Sequence, residues 1–219
     1  MRDGKTAQGN EGFGPFLVCR TTARDLRADF AERGVAVLTE PALETRLWRS
    51  LCGEARAQRD AASWHLFSKS NADEISQDNM RGYLGPSARA LLAGRGTRAL
   101  LHAVTRRRLE PSWSASCYTY YDAPGSHMGE HCDKYDACRI AMLIYLEARW
   151  PEGRISGPGL RLYVFEGDSS RTPLAAQVAA HSNRVVILNG AGKAHIRPPL
   201  AAGESLLMLA GCFRVVSSR

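Results

Sequence analysis

At 219 residues, with a formal net charge of +7, 44% hydrophobic and 23% charged residues, the chain has the size of one domain. It is long enough to bury a core without disulfides or a structural metal, and its composition is that of an ordinary soluble globular protein. No apolar run approaches the ~20 residues that cross a bilayer as a helix. The segment Met1 to Pro15 is polar and glycine-rich and lacks the apolar stretch of a signal peptide, so a cytoplasmic protein with no membrane partner is expected.

The positive charge is carried by arginine, with lysine only at Lys5, Lys69, Lys134 and Lys193. Arginines scattered over the surface account for it better than a nucleic-acid-binding stripe. The one cluster, Arg106-Arg107-Arg108, ends a helical stretch, where cations suit the helix dipole. The six cysteines (Cys19, Cys52, Cys117, Cys132, Cys138 and Cys212) form no C-x-x-C pair and read as reduced thiols.

In chain order, residues 1–15 read as a flexible leader and 16–219 as a single domain, helical over about 16–110 and β-rich over about 111–217. Thr22 caps a helix running to Arg33, and Gly34 stops it. Val35 to Leu38 reads as a buried strand. A second helix starts near Thr39–Pro41, with Leu43, Leu47, Trp48, Leu51 and Ala55 on its apolar face. Residues 60–85 carry loop or hairpin chemistry, and a third helix is expected over about Ser87 to Arg107, weakened by Gly94 and Gly96. After Pro111 the pattern becomes strand-like: Ser114 to Tyr121, Arg139 to Glu147, Leu160 to Phe165, Arg184 to Leu188 and Glu204 to Val216. Turn residues separate these runs, which argues for a β-sandwich or barrel.

The chemistry concentrates in His127-Met128-Gly129-Glu130-His131-Cys132-Asp133. Along a strand, alternate residues point to one side, so His131 and Asp133 can offer an imidazole and a carboxylate to the same metal. A third ligand from a distant strand, for which His195 is the natural choice, completes two histidines and one carboxylate. That set suits ferrous iron with positions left open for substrate and O2. His127 is read as a loop residue or a pocket wall.

The stretch from Tyr121 to Phe213 resembles the prolyl-4-hydroxylase-like branch of the Fe(II)/2-oxoglutarate-dependent oxygenases. The resemblance rests on Tyr121 and Gly125 ahead of the H-x-D, and on the strand ending in Tyr145-Leu146. It continues through the turn Gly157-Pro158-Gly159 before a strand, the strand Arg184 to Leu188, and His195 followed by Pro199 and Gly203. It implies an α+β protein: a double-stranded β-helix (jelly-roll) core with N-terminal helices packed against it. It also implies Fe(II), 2-oxoglutarate and O2 as cofactor and co-substrates, with Tyr145 hydrogen-bonding the 2-oxoglutarate.

One departure stands out. The family places a cation after the distal histidine to pair with the far carboxylate of 2-oxoglutarate, and those positions are Glu204 and Ser205 here. A buried dicarboxylate needs a counter-charge. Arg197, which shares the strand parity of His195, is the first substitute, and Ser205 and Tyr145 are read with it as co-substrate contacts. Tyr118, Tyr120 and Arg81 are the candidate substrate contacts.

The resulting expectation is an Fe(II)- and 2-oxoglutarate-dependent dioxygenase. It hydroxylates, desaturates or cyclises a small molecule, an amino acid or other carboxylate of specialised biosynthesis. The retained Asp133 argues against halogenation. The alternatives are a 2-oxoglutarate-independent iron oxidase whose substrate ligates the metal, and a protein side-chain hydroxylase. Oxidative repair of a flipped base, or a non-catalytic barrel with an incidental H-x-D, stand behind these.

Overall fold

The structure of the chain is a computed structural model that describes residues 13–17, 22–63, 77–151 and 157–216. Most of the expected leader, Cys19 and the middle of the 60–85 loop lie outside the described residues. Helix α1 (Ala23–Arg33) opens on a capping box. The Thr22 hydroxyl accepts from the Asp25 N–H, and the Asp25 carboxylate accepts from the Thr22 N–H. It closes at Gly34, whose φ of 74° is left-handed and whose N–H reaches Phe30 O.

After strand β1 (Val35–Leu38), helix α2 (Thr45–Ala57) begins later than the sequence suggests. Ala42 and Leu43 are tied by backbone and side-chain hydrogen bonds to Asn183 in the β core, so the segment after Pro41 is an anchored link, not a helical turn. The single third helix is in fact two. At Gly94 the backbone is extended, with ψ 153°, separating α3 (Pro86–Ala93) from α4 (Arg95–Thr105). Residues 13–15 are not a mobile leader either. Phe13 is buried, its carbonyl packs where a side chain at Gly96 would stand, and Pro15 O accepts from the Glu44 N–H.

Eleven further strands follow in the described residues. They are β2 (Gln77–Asp78), β3 (Met80–Gly82), β4 (Leu109–Pro111), β5 (Cys117–Tyr121), β6 (His127–His131) and β7 (Ile140–Arg149). Then come β8 (Arg161–Phe165), β9 (Leu174–Ala179), β10 (Arg184–Leu188), β11 (His195–Arg197) and β12 (Ser205–Val215). They form two antiparallel sheets. The larger runs β1-β10-β7-β12-β5-β3, with β4 also on β12; the smaller runs β2-β6-β11-β8-β9. The sheets face each other as a jelly roll. The helical half is not separate from it, because β1 and β3 are strands of the larger sheet.

The parity of β7 divides the core into two layers. Ile140, Met142, Ile144 and Leu146 meet the helices through Leu51, Leu92 and Leu101. Ala141, Leu143 and Tyr145 point between the sheets, against Leu162, Val164 and Val186. Strand β12 does the same, sending Leu207 and Leu209 to the helices and Leu206, Met208 and Cys212 inward. The space between the sheets is where the candidate site lies. No helix among the described residues is long and apolar enough to cross a membrane.

The reading of all six cysteines as reduced thiols is corrected. Cys138, just before β7, and Cys212, on β12, form a disulfide with Cα atoms 4.7 Å apart, although 74 residues separate them. Cys52, Cys117 and Cys132 are free, and burial raises the thiol pKa of Cys52 to about 11. A cross-link of this span stabilises by about 4 kcal/mol on the chain-entropy account. For a chain of this size that corresponds to roughly 10 °C in melting temperature. Wild-type protein is therefore expected to melt earlier in dithiothreitol. The Cys138→Ser/Cys212→Ser double variant should melt at that lower temperature with or without the reductant.

Candidate metal centre

Strands β6 and β11 are neighbours in the smaller sheet, and His131 and His195 are direct Cα partners across them. Opposed residues of an antiparallel pair project to the same side, so the two imidazoles lie together, their ring centroids 4.2 Å apart. Asp133 stands just beyond the end of β6, where its N–H donates to Gly190 O at 2.9 Å. One ligand atom from each of His131, Asp133 and His195 lies within 4.8 Å of the other two.

The hydrogen bonds around the rings prepare them for a cation. His131 Nδ1 lies 2.9 Å from Gly129 O, and His195 Nδ1 lies 3.0 Å from Lys193 O. A carbonyl only accepts, so each Nδ1 carries the proton and each Nε2 keeps a free lone pair. His131 Nε2 is 3.7 Å from Asp133 Oδ1. Burial, aided by the nearby His195, pushes the His131 imidazole pKa down to about 3, so the ring is neutral and ready to ligate. Burial pushes the Asp133 carboxyl up, against the opposing pull of His195 and Arg81. A carboxylate beside two imidazole nitrogens, turned toward one point, is a site that gains from a divalent cation. Gly190 makes the arrangement possible, because a Cβ there would overlap Oδ2 of Asp133.

The triad opens on a cavity between the sheets. Its walls include Cys117, Thr119 and Tyr121 from β5, Leu143 from β7, Met208 and Ala210 from β12, and Arg81 and Arg197. Arg197 is 2% exposed. It donates to the Tyr145 hydroxyl at 3.0 Å and to Gly159 O at 3.3 Å. Its guanidinium carbon lies 5.5 Å from the Tyr121 ring centroid and 5.4 Å from that of Tyr145. No carboxylate of the described residues pairs with it, so a buried cation faces the cavity held only by neutral groups.

No protein-family model and no curated protein matches the sequence. Solved structures do match the fold. A Pseudomonas putida prolyl-4-hydroxylase superposes with a TM-score of 0.61 at 18% identity, over 90% of this chain and 100% of that one. HygX from Streptomyces hygroscopicus, with nickel, 2-oxoglutarate and hygromycin B bound, gives 0.62 at 14% identity, over 88% and 87% of the two chains. A Trichoplax adhaerens prolyl hydroxylase, in complex with a hypoxia inducible factor oxygen degradation domain peptide fragment, gives 0.63 at 11% identity, over 88% and 89%. The chain has the fold of the 2-oxoglutarate/Fe(II) oxygenases.

Within this oxygenase fold, several expected contacts fall elsewhere. Tyr118 and Tyr120 turn away from the cavity. Their hydroxyls donate to Glu54 Oε1 and to Ala55 O, each at 2.7 Å, on the helical side of the larger sheet. The cavity face of β5 is the other parity, so Thr119, and Tyr121, which had been named only for the resemblance, line the cavity in their place. All five residues of β5 are buried, and no hydrophobic alternation marked its inner face. Ser205 also fails to reach the cavity; it starts β12 opposite Arg149. Glu204 is buried in the turn before it, where Oε2 accepts from the Ala201 N–H at 2.8 Å. Glu204, at a position where the resemblance led to the expectation of a cation, closes a turn. Arg81 and Arg197 do line the cavity.

Proposed function

We propose that the chain is an Fe(II)- and 2-oxoglutarate-dependent oxygenase acting on a small molecule. The observation that carries this reading is the pairing, in one cavity, of the His131–Asp133–His195 cluster with the buried, carboxylate-free Arg197. The two Nε2 atoms and the Asp133 carboxylate would hold the iron. Arg197, oriented by the Tyr145 hydroxyl, would take the far carboxylate of 2-oxoglutarate. Bound iron supplies O2 activation coupled to decarboxylation of the co-substrate to succinate and CO2.

The chain's own part is placement and exclusion of water. The Nδ1–H bonds to Gly129 O and Lys193 O fix the two rings, so neither has to reorient on metal binding. Leu143, Leu162, Leu188 and Met208 form the apolar wall that dries the cavity and strengthens the electrostatic contacts inside it. The related HygX, with hygromycin B bound, supports a small-molecule substrate for this fold, and the Trichoplax enzyme is the precedent for a peptide.

The test is an anaerobic titration of 2-oxoglutarate into Fe(II)-loaded protein, followed by visible absorption. A weak charge-transfer band that saturates near one equivalent is expected, and it should be absent in His131→Ala. Iron that binds without producing a band would sink the co-substrate assignment and favour an oxidase whose substrate ligates the metal. Protein that takes up no iron would sink the enzyme reading itself.

A further inference from the structure

We propose that the Cys138–Cys212 disulfide positions the metal ligand Asp133, so that the oxidation state of this pair sets the affinity of the site for iron. This rests on the His131–Asp133–His195 reading above. The two histidines are held firmly: they lie in paired strands, and each Nδ1–H is bonded to a carbonyl. Asp133 stands two residues past the end of β6, and among the described residues no hydrogen bond holds its carboxylate. Its place is therefore set by its main chain. On one side the Asp133 N–H donates to Gly190 O at 2.9 Å. On the other the chain runs through residues 134–139 before it enters the larger sheet at Ile140, the Cα partner of Phe213 on β12.

The hydrogen bonds that shape this link are its own. The Ala137 and Cys138 N–H groups both donate to Lys134 O, at 3.1 and 2.7 Å. They make a compact turn without attaching it to the sheet, and the disulfide supplies the attachment. Cys212 is the fixed end. It lies on β12, which pairs with β4, β5 and β7. Its N–H donates to Ser116 Oγ at 2.9 Å, and its carbonyl accepts from the Ser112 N–H at 2.8 Å. The cross-link carries that order to Cys138, and the bond from Cys138 to Lys134 O carries it on to the residue beside Asp133. Asp133, Lys134, Ala137, Cys138 and Cys212 all line the same cavity, so the cross-link and the ligand share one wall.

Reduction by a thiol such as glutathione breaks the S–S bond. Each sulfur takes up one electron and one proton, and two glutathiones leave as their disulfide. The turn is then held to the sheet by packing alone, and Asp133 loses its preset position. Coupling between two sites is reciprocal, so bound iron must in turn protect the disulfide.

The experiment uses full-length protein without oxygen, and Fe(II) alone as the probe. Iron affinity is measured for the oxidised protein, for protein reduced with a phosphine that is then removed by gel filtration, and for the reoxidised sample. Reduction should weaken iron at least about tenfold, the loss typical of disturbing what orients a ligand, and reoxidation should restore it. Cys138→Ser/Cys212→Ser should bind iron like the reduced protein and ignore the phosphine. Circular dichroism below the melting temperature checks that each sample is folded. If the serine pair does not fold, Cys138→Val/Cys212→Ala keeps the space filled and must show the same loss. The reciprocal readout is the Cys138–Cys212 bond itself, followed by alkylation and peptide mass across a glutathione redox series. Saturating Fe(II) should raise the ratio of squared glutathione to glutathione disulfide needed for half-reduction by the same factor as the affinity loss, a shift that a disulfide serving stability alone does not give. Equal iron affinity in the oxidised and reduced proteins would overturn the proposal, as would a half-reduction point indifferent to iron. If the oxidised wild-type protein takes up no iron, it is the metal-centre reading that fails, and that first measurement tells the two failures apart.

Discussion

Gly190→Ala is expected to strip the protein of its iron without unfolding it. The three nearest atoms that a Cβ at Gly190 would meet belong to Asp133, and the closest is the carboxylate oxygen Oδ2. The Gly190 backbone does not occupy the left-handed region, so alanine is accepted there without backbone strain. The Asp133 N–H is held by Gly190 O at 2.9 Å, so the main chain cannot retreat without losing that bond. The carboxylate must rotate out of the cluster instead. A metal site reduced from three protein ligands to two should lose affinity by at least about 100-fold, beyond the loss typical of a disturbed outer shell. Metal analysis after gel filtration should show Gly190→Ala as iron-poor as Asp133→Ala, while its circular dichroism and melting temperature stay near those of the wild-type apoprotein. Stoichiometric iron in Gly190→Ala would mean that Asp133 is not a ligand in the pose described.

The same residue shows how far the sequence could be read. His131 and Asp133 were legible because strand parity is a local property, and the H-x-D spacing carries it whatever lies around it. His195 was legible as a partner only through the order of later strands. Gly190 was not legible, because its role is to yield space to a side chain 57 positions away in sequence (residues 133 and 190). The β5 strand shows a different limit. Alternation identifies an inner face only when the outer face is wet, and here helices cover it, so both Tyr118 and Tyr121 are fully buried. The parity of the tyrosines was then read in the wrong direction. The Cys138–Cys212 pair depends on β7 and β12 being adjacent, a fact of topology that no local pattern holds. Ser205 was placed by analogy with a family position whose cation is absent here, and its side of the chain follows the turn closed by Glu204 instead. Arg197 was legible as a cavity residue because the parity of β11 sets it on the side of His195, and both line the cavity; its pairing with 2-oxoglutarate is a proposal.

Arg197→Ala should therefore weaken 2-oxoglutarate binding by roughly 100-fold or more, the usual consequence of removing one member of a desolvated charge pair. Iron uptake should be unchanged, since Arg197 touches none of the three ligands by hydrogen bond or ion pair. The effect on the apoprotein should be smaller than that of most core truncations. A guanidinium 2% exposed and paired with no carboxylate of the described residues carries a desolvation cost that alanine removes, partly offsetting the packing lost against Tyr121 and Tyr145. Stability without co-substrate should thus change little, while the stabilisation gained on adding 2-oxoglutarate should vanish. Arg197→Lys separates charge from geometry. A lysine keeps the cation but cannot span Tyr145 Oη and Gly159 O together, so it should recover part of the affinity and not all of it. Thermal melts across a 2-oxoglutarate series, run beside the absorption titration, measure both quantities. A wild-type response from Arg197→Ala would show that the 2-oxoglutarate carboxylate is held elsewhere in the cavity, and would sink the role proposed for Arg197.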